Sequence, residues 1–193
     1  LGAVPVMGSG VDGKKQLQRA SAVCCSRDMS KIFCGGADDS FIMVFDAKNE
    51  SNDLLYEIPN SGEKVTALCD CRPEDSRLLV GTADGTLKTW YYSRTEVNQI
   101  HSFSAHATAI TALALPHQNN QRVVSGAADG TVVVSESSTG FTIWNLTEHV
   151  GFGSIRSVAV SLDGHSCLTV ADSGPAHLWD LTTGSLLRSF SPG

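Results

Sequence analysis

Leu178 to Phe190 reads LWDLTTGSLLRSF, and the Trp179-Asp180 pair inside it is the last of four such pairs at nearly fixed spacing. The others are Phe45-Asp46, Trp90-Tyr91 and Ser135-Glu136, at steps of 45, 45 and 44 residues. Each is preceded by a tight-turn signal: Asp38-Asp39-Ser40, Asp84-Gly85-Thr86, Asp129-Gly130-Thr131 and Asp172-Ser173-Gly174. A period of about 40–45 residues marks a repeat architecture with one four-stranded unit per repeat.

The content of each unit agrees. A first apolar run recurs at Ala22-Val23-Cys24, Val65 to Leu68, Ile110 to Leu113 and Ile155 to Val160. A second recurs at Ile32 to Cys34, Leu78 to Val80, Val123-Val124 and Cys167 to Val170. After the Asp/Gly turn comes a third run, such as Thr86 to Trp90, and then an amphipathic fourth, such as Leu54 to Ile58 or Leu186 to Phe190. Short runs of β-branched and aliphatic residues bounded by Gly, Asp and Asn read as strands, and Asp-Gly pairs suit tight hairpins. Apolar residues nowhere keep a helical spacing over a dozen positions, so an all-β chain is expected.

The ending LWDLTTGSLLRSF, with GTADGTLKTW (81–90) and SGAADGTVVV (125–134), resembles the WD40 family. The resemblance covers roughly residues 20 to 193 and implies a portion of a β-propeller with four antiparallel four-stranded blades. Blades are expected at 20–60, 61–104, 105–148 and 149–193, with 1–19 an irregular segment or a closing strand. Four blades that do not close leave two apolar faces open. The resemblance therefore implies further blades of the same propeller, a small closed ring, or an open one completed by a partner.

Net charge is −6, and no Lys/Arg cluster exceeds Lys14-Lys15. A basic stripe is the electrostatic footprint of a nucleic-acid binder, and this sequence has none, so no direct nucleic-acid binding is expected. No segment approaches the ~18 apolar residues of a membrane span, and no membrane insertion is expected. The six cysteines fall on repeat slots rather than in zinc spacing. Cys24 and Cys69 align with Ala114 and Ala159, Cys34 with Leu79, Val124 and Leu168, and Cys167 with Phe33, Leu78 and Val123. Cys24, Cys34, Cys69 and Cys167 are therefore expected to be buried and free, with no metal or cofactor, in an intracellular setting (cytoplasm or nucleus).

His106, Ser125 and Asp129 contain the residue types of a hydrolytic triad. Their slots resemble instead the WD40 arrangement of a loop His, a second-strand Ser, a turn Asp and a third-strand Trp joined as a buried hydrogen-bonded brace. Carried over, the third unit keeps His106, Ser125 and Asp129, with Ser135 in place of Trp. The fourth keeps His149 and Trp179, with Thr169 and Ser173 in the other slots. The second keeps Asp84 and Trp90, with Ser61 and Val80, and the first keeps Asp39, with Phe45. No unit is complete.

Binding is expected on surfaces, because this fold does not itself name a function. On the face carrying the turns and the loops between units, candidates are Glu63, Lys64, Thr108, Phe152 and Arg156. On the outer strand, Tyr56, His101, Trp144 and Arg188 share a slot, and Trp144 is the candidate there. With no nucleophile elbow or phosphate loop, the expectation is a non-enzymatic scaffold or adaptor for protein partners in a multisubunit complex. The alternative is a regulatory or substrate-recognition propeller attached to a catalytic domain elsewhere in a longer chain.

Overall fold

The computed structural model describes residues 4–5, 20–36, 41–49, 53–60, 62–71, 76–116 and 121–191. Every regular element among them is a strand, and consecutive strands pair antiparallel into four sheets. The first sheet holds β2 (Ala20–Cys25), β3 (Lys31–Gly36), β4 (Phe41–Asp46) and β5 (Leu54–Pro59). The second holds β6 (Val65–Asp70), β7 (Arg77–Thr82), β8 (Thr86–Tyr92) and β9 (Glu96–Ser104), with the two-residue β1 (Val4–Pro5) added outside β9. The third holds β10 (Ile110–Ala114), β11 (Arg122–Ala127), β12 (Val132–Glu136) and β13 (Thr142–Leu146). The fourth holds β14 (Ile155–Val160), β15 (Ser166–Ala171), β16 (Ala176–Asp180) and β17 (Leu186–Phe190).

The periodic slot is a structural irregularity repeated four times. Third and fourth strands slip register at Val44/Phe45, Thr89/Trp90, Val134/Ser135 and Leu178/Trp179. First and second strands slip at Ala20/Ala22, Val65/Ala67, Ile110/Ala112 and Ile155/Ser157. Bulges bend and twist a strand locally, so the same two kinks give all four sheets the same twist.

The core lies between sheets. Phe33, Ile42, Val44 and Ile58 of the first sheet pack on Val65, Leu78, Val80 and Trp90 of the second. Leu79 and Leu87 meet Ile110 and Val123 at the next seam, and Val124, Val132 and Val134 meet Ile155, Cys167 and Trp179 at the third. Each fully buried Val, Leu or Ile contributes roughly 1.5–3 kcal/mol, so stability is a property of stacked pairs of sheets. Second-strand glycines set the closeness of the stacking. A Cβ added at Gly35 or Gly81 would lie 2.5 or 2.7 Å from the side chain of Val65 or Ile110, and one at Gly126 would collide with Ile155. At the inner edge, Ser21 donates to the Val65 carbonyl at 2.5 Å and Thr111 to that of Ile155 at 2.6 Å, stitching one first strand to the next.

The cysteine expectation needs correction. Cys167 is buried, but Cys24, Cys34 and Cys69 are only half-buried, Cys71 is buried and Cys25 exposed; none of the six is in a disulfide. In β3 the sequence alignment slips by one residue. Cys34 pairs with Val23 as Val80 does with Leu68 and Ser125 with Leu113. Cys34 therefore shares the slot of Val80 and Ser125, not that of Leu79. Cys167 likewise shares a slot with Ile32 rather than Phe33. A one-residue slip moves a side chain to the other face of a strand, which puts Cys34 on the outward side of the first sheet.

Candidate functional site

The buried polar groups form a brace beneath the loops. In the third sheet His106 Nε2 lies 2.8 Å from Ser125 Oγ, and His106 Nδ1 lies 2.9 Å from Thr131 Oγ1. Thr131 in turn donates its hydroxyl (2.7 Å) and its amide (3.0 Å) to Asp129. Asp129 thus reaches the histidine through Thr131, a relay residue that slot reading missed although the Asp-Gly-Thr turn contains it. Burial lowers the His106 pKa against a partial upward pull from Asp129. Burial raises the Asp129 carboxyl, but bonds from Thr131 and the nearby His106 leave it net below the usual carboxylate range. Ser125 has no exposed surface and His106 is 6% exposed, so no substrate carbonyl can reach this trio.

In the fourth sheet the indole N–H of Trp179 donates to Thr169 Oγ1 at 2.8 Å, and His149 Nε2 lies 2.8 Å from the same oxygen. His177, on the adjacent strand, sits with its ring centroid 4.2 Å from that of His149. Ser173 stands apart from this group: its hydroxyl and amide donate to the Phe152 carbonyl.

The second sheet solves the same problem with charge. Lys88, nearly buried, pairs with Glu63 at 2.7 Å. Asp84 accepts from the hydroxyls of Thr82 and Thr86 within its own turn. Trp90 occupies the Trp179 slot, but Val80 offers no acceptor there, and its indole nitrogen has no partner among the described residues. The expected donation from Trp90 into a brace is therefore absent. Ser135, in the same slot of the third sheet, is buried and its hydroxyl likewise lacks a partner. Asp39 lies outside the described residues.

Turn and loop are locked together across seams. Gly85 and Gly130 both have φ of +84°, a conformation glycine adopts without strain. A side chain at Gly130 would meet the His149 carbonyl at 2.6 Å, and the Gly85 carbonyl accepts from the amides of Ala105 and His106 at 3.0 and 3.1 Å. Each turn thereby holds the loop leading into the following sheet.

The expected contact residues divide three ways. Lys64 and Arg156 are exposed on this loop face, and Thr108 is partly so. Glu63 is engaged by Lys88, and Arg156 Nε forms an ion pair with Asp172 while its side chain stays 70% exposed. Phe152 packs over Gly174 in the turn of its own sheet and remains 37% exposed. Trp144 lies elsewhere. Its indole donates to the Leu181 carbonyl at 3.1 Å and covers Gly184, so it clamps the third sheet to the fourth. Its slot partner Tyr56 is buried rather than wet at the tip.

A further polar link joins the first two sheets. Buried Asp70 accepts from Tyr92 Oη at 2.7 Å and from the Arg27 amide at 3.0 Å. Burial raises its carboxyl pKa, opposed by the Tyr92 bond. An aspartate between Cys69 and Cys71 was the available sequence signal. Among the described residues, no group of three or more His, Cys, Asp or Glu could hold a metal ion, and no helix is long and apolar enough to cross a membrane.

Four-stranded antiparallel sheets stacked through their faces at a 45-residue period define a β-propeller portion. The "WD domain, G-beta repeat" family model matches residues 52–91 and 97–134. Each match takes in an outer strand, β5 or β9, and ends on the third strand of the following sheet. The chain belongs to the WD40-repeat β-propeller family. It is 32% identical over 128 residues to WD repeat-containing protein 90 of Mus musculus, covering 66% of this chain and 6% of that one. It is 26% identical over 177 residues to a guanine nucleotide-binding protein subunit beta of Oryza sativa subsp. japonica, covering 83% of this chain and 44% of that one. A chain in a crystal structure of the mitotic checkpoint complex superposes with a TM-score of 0.77 at 19% identity, over 90% of this chain and 51% of that one, which shows the fold. The chain spans less than half the length of both curated relatives.

Proposed function

We propose that this chain is a non-enzymatic scaffold or adaptor that presents its loop face to protein partners in a multisubunit complex. One observation carries the reading. The buried His, Ser, Thr and Asp side chains are engaged in fixing loops and turns, while Lys64, Arg156 and part of Phe152 remain at the surface of those fixed loops. A rigid loop face lowers the ordering cost of binding. Six cysteines without a disulfide support a reducing intracellular setting, and the net charge of −6 supports protein rather than nucleic-acid partners. A regulatory role beside a catalytic domain is the second reading, supported by the small share of the length of WD repeat-containing protein 90 that this chain covers.

The test is affinity capture with quantitative mass spectrometry, comparing the wild type with a Lys64→Glu, Arg156→Glu loop variant and a Glu96→Lys, Asn98→Lys outer-strand variant of unchanged melting temperature. The loop variant is expected to lose partners that the outer-strand variant keeps. Equal retention by both, or selective loss from the outer-strand variant, overturns the reading.

A further inference from the structure

We propose that the loop entering the fourth sheet is an acid-released latch, shut while His149 and His177 are neutral and opened when either ring takes up a proton. Opening reshapes one arc of the loop face, so the latch rests on the scaffold reading for its consequence, though not for its chemistry. The site lies in an internal seam with both walls present. His177 meets Trp179 edge-on, ring centroids 5.7 Å apart, and Trp179 packs with Val124, Val132 and Val134 of the third sheet.

His149 is 1% exposed and His177 5%, and their ring centroids are 4.2 Å apart. One nitrogen of each ring is held, His149 Nε2 by Thr169 Oγ1 and His177 Nδ1 by Ser189 Oγ at 2.9 Å. The other two, His149 Nδ1 and His177 Nε2, are buried with no partner among the described residues. The neighbours of His149 assign its tautomer. The Trp179 indole can only donate, and it donates to Thr169 Oγ1. The Thr169 hydroxyl then has His149 Nε2 at 2.8 Å or the His177 carbonyl at 3.5 Å. The shorter contact takes the hydroxyl proton, so His149 Nε2 accepts and Nδ1 carries the ring hydrogen. A further proton must enter at Nε2, where it reverses the bond to Thr169. The cation so formed has an Nδ1–H without an acceptor and a second ring beside it. A proton taken by His177 Nε2 likewise finds no acceptor. Burying a charged donor unpaired costs more than burying a neutral one.

The third sheet shows what is missing. Ser125 pairs with Val133 as Thr169 pairs with His177, which puts Thr131 in the slot of Pro175 and Asp129 in that of Ser173. His106 reaches Asp129 through Thr131, so an imidazolium there has an oxygen on each nitrogen and a carboxylate behind one of them. Pro175 has no hydroxyl, and Ser173 gives its own to the Phe152 carbonyl. Nearby charges do not replace the relay. Asp172 is held by Arg156 and the Ser154 amide, and Asp129 by Thr131. Glu148, exposed beside His149, pulls both rings toward protonation, but burial outweighs it and holds both below the ordinary histidine range, with His177 adding to the effect on His149.

His149 is the anchor of its loop. Its carbonyl accepts from the Phe152 amide at 2.9 Å and lies against Gly130 of the third-sheet turn. Withdrawal of the ring therefore releases 149–154, including the Phe152 that covers Gly174, while the His106 loop stays shut. The open loop has an ordinary histidine pKa and the shut loop a lower one, so closure is complete above about 6.5 and is lost as pH falls toward the shut-state value.

Hydrogen–deuterium exchange on the 193-residue chain tests the latch. It compares about pH 7 with about pH 5, with labelling times scaled to the intrinsic exchange rate and circular dichroism to confirm the fold. Protection at 149–154 is expected to fall about tenfold for each unit separating the open and shut pKa values, while 105–109 stays protected. His149→Gln keeps a hydrogen-bonding group for Thr169 but cannot titrate, and should remove the response. The Ser173→Asp/Pro175→Thr double variant copies the Asp129–Thr131 relay and should keep the loop shut in acid. No fall in the wild type, an equal fall in both loops, or a fall that survives in His149→Gln overturns the proposal. Should His149→Gln not fold, the relay variant decides, and a fall as large as in the wild type overturns the latch. Partner capture at both pH values reads the consequence: loop-face partners should leave the wild type in acid and stay on the relay variant, and equal loss from both overturns the regulation. A loop that opens as expected, in a chain whose Lys64→Glu, Arg156→Glu variant keeps every partner, overturns the scaffold reading and supports the latch.

Discussion

Trp179 donates its indole N–H to Thr169, whereas Trp90, on the same bulge of the second sheet, packs in one buried cluster with Val80, which stands in the Thr169 slot, and donates to nothing among the described residues. The same side chain in the same slot therefore has two energetic roles, one packed and bonded, one packed only. Truncation of either to Ala should cost about 3–5 kcal/mol through lost packing. Phe separates them. Trp179→Phe should cost about 1 kcal/mol more than Trp90→Phe, because it also removes a hydrogen bond. Chemical unfolding of the four variants measures this, and equal costs for the two Phe variants would remove the brace from the account.

Val80→Thr supplies the missing acceptor. It should stabilise by up to about 1 kcal/mol relative to Val80→Ala, the net worth of one buried hydrogen bond. Thr169→Val does the reverse, leaving Trp179 and His149 without their shared oxygen, at about 1–3 kcal/mol. Melting temperatures of these variants check both signs.

Trp144→Ala should destabilise more than an exposed outer-strand residue would, since the indole bonds to Leu181 and covers Gly184 of the next sheet. Gly184→Ala should be costly too, by roughly 1 kcal/mol or more, because φ is +71° there and a Cβ would press on the indole. The double variant should cost less than the sum of the singles. Strict additivity in unfolding experiments would contradict contact between them.

Glu63→Gln strands a nearly buried Lys88 ammonium and should cost about 1–3 kcal/mol, discounted because Glu63 is partly exposed. Lys88→Met with Glu63→Gln should be less damaging than Glu63→Gln alone, since an apolar pair often replaces a buried ion pair without loss. Thermal unfolding of the single and double variants decides it.

Acidification should destabilise the stack through its histidines. Burial lowers the folded-state pKa of His106 and of His149, the latter with added repulsion from His177, below their ordinary 6.5. The unfolded chain then binds more protons in this window, so stability is complete above about 6.5 and falls as pH drops toward the folded values. The melting temperature should decline from about pH 7 to pH 5, with a shallower slope in His149→Gln. A flat profile over that range would place these rings in water rather than in the brace.

The repeat was legible because the bulge slot fixes both twist and spacing, so Phe45, Trp90, Ser135 and Trp179 stand out as a period even where the residue type changes. Loop length limited that legibility in the first sheet. Gly35 and Gly81 lie 46 residues apart rather than 45, and the extra residue turned Cys34 to the wrong face of β3. Contacts between strands were the least legible. Glu63 with Lys88, Asp70 with Tyr92 and Trp144 with Leu181 each join residues whose proximity depends on register across two or more strands, and none is a motif in one dimension. His106 and Ser125 could be placed because the family resemblance supplies their slots, while Thr131, the link to Asp129, hid inside an ordinary turn signal.

Hydrogen–deuterium exchange on the chain with and without a captured protein partner tests the scaffold reading most directly. The account expects added protection in the turns at 84–86 and 129–131 and in the loops at 105–109 and 149–154, where backbone is held rigid and side chains face outward. Protection confined to the outer strands Glu96–Ser104 and Thr142–Leu146, with the loop face unchanged, would contradict it.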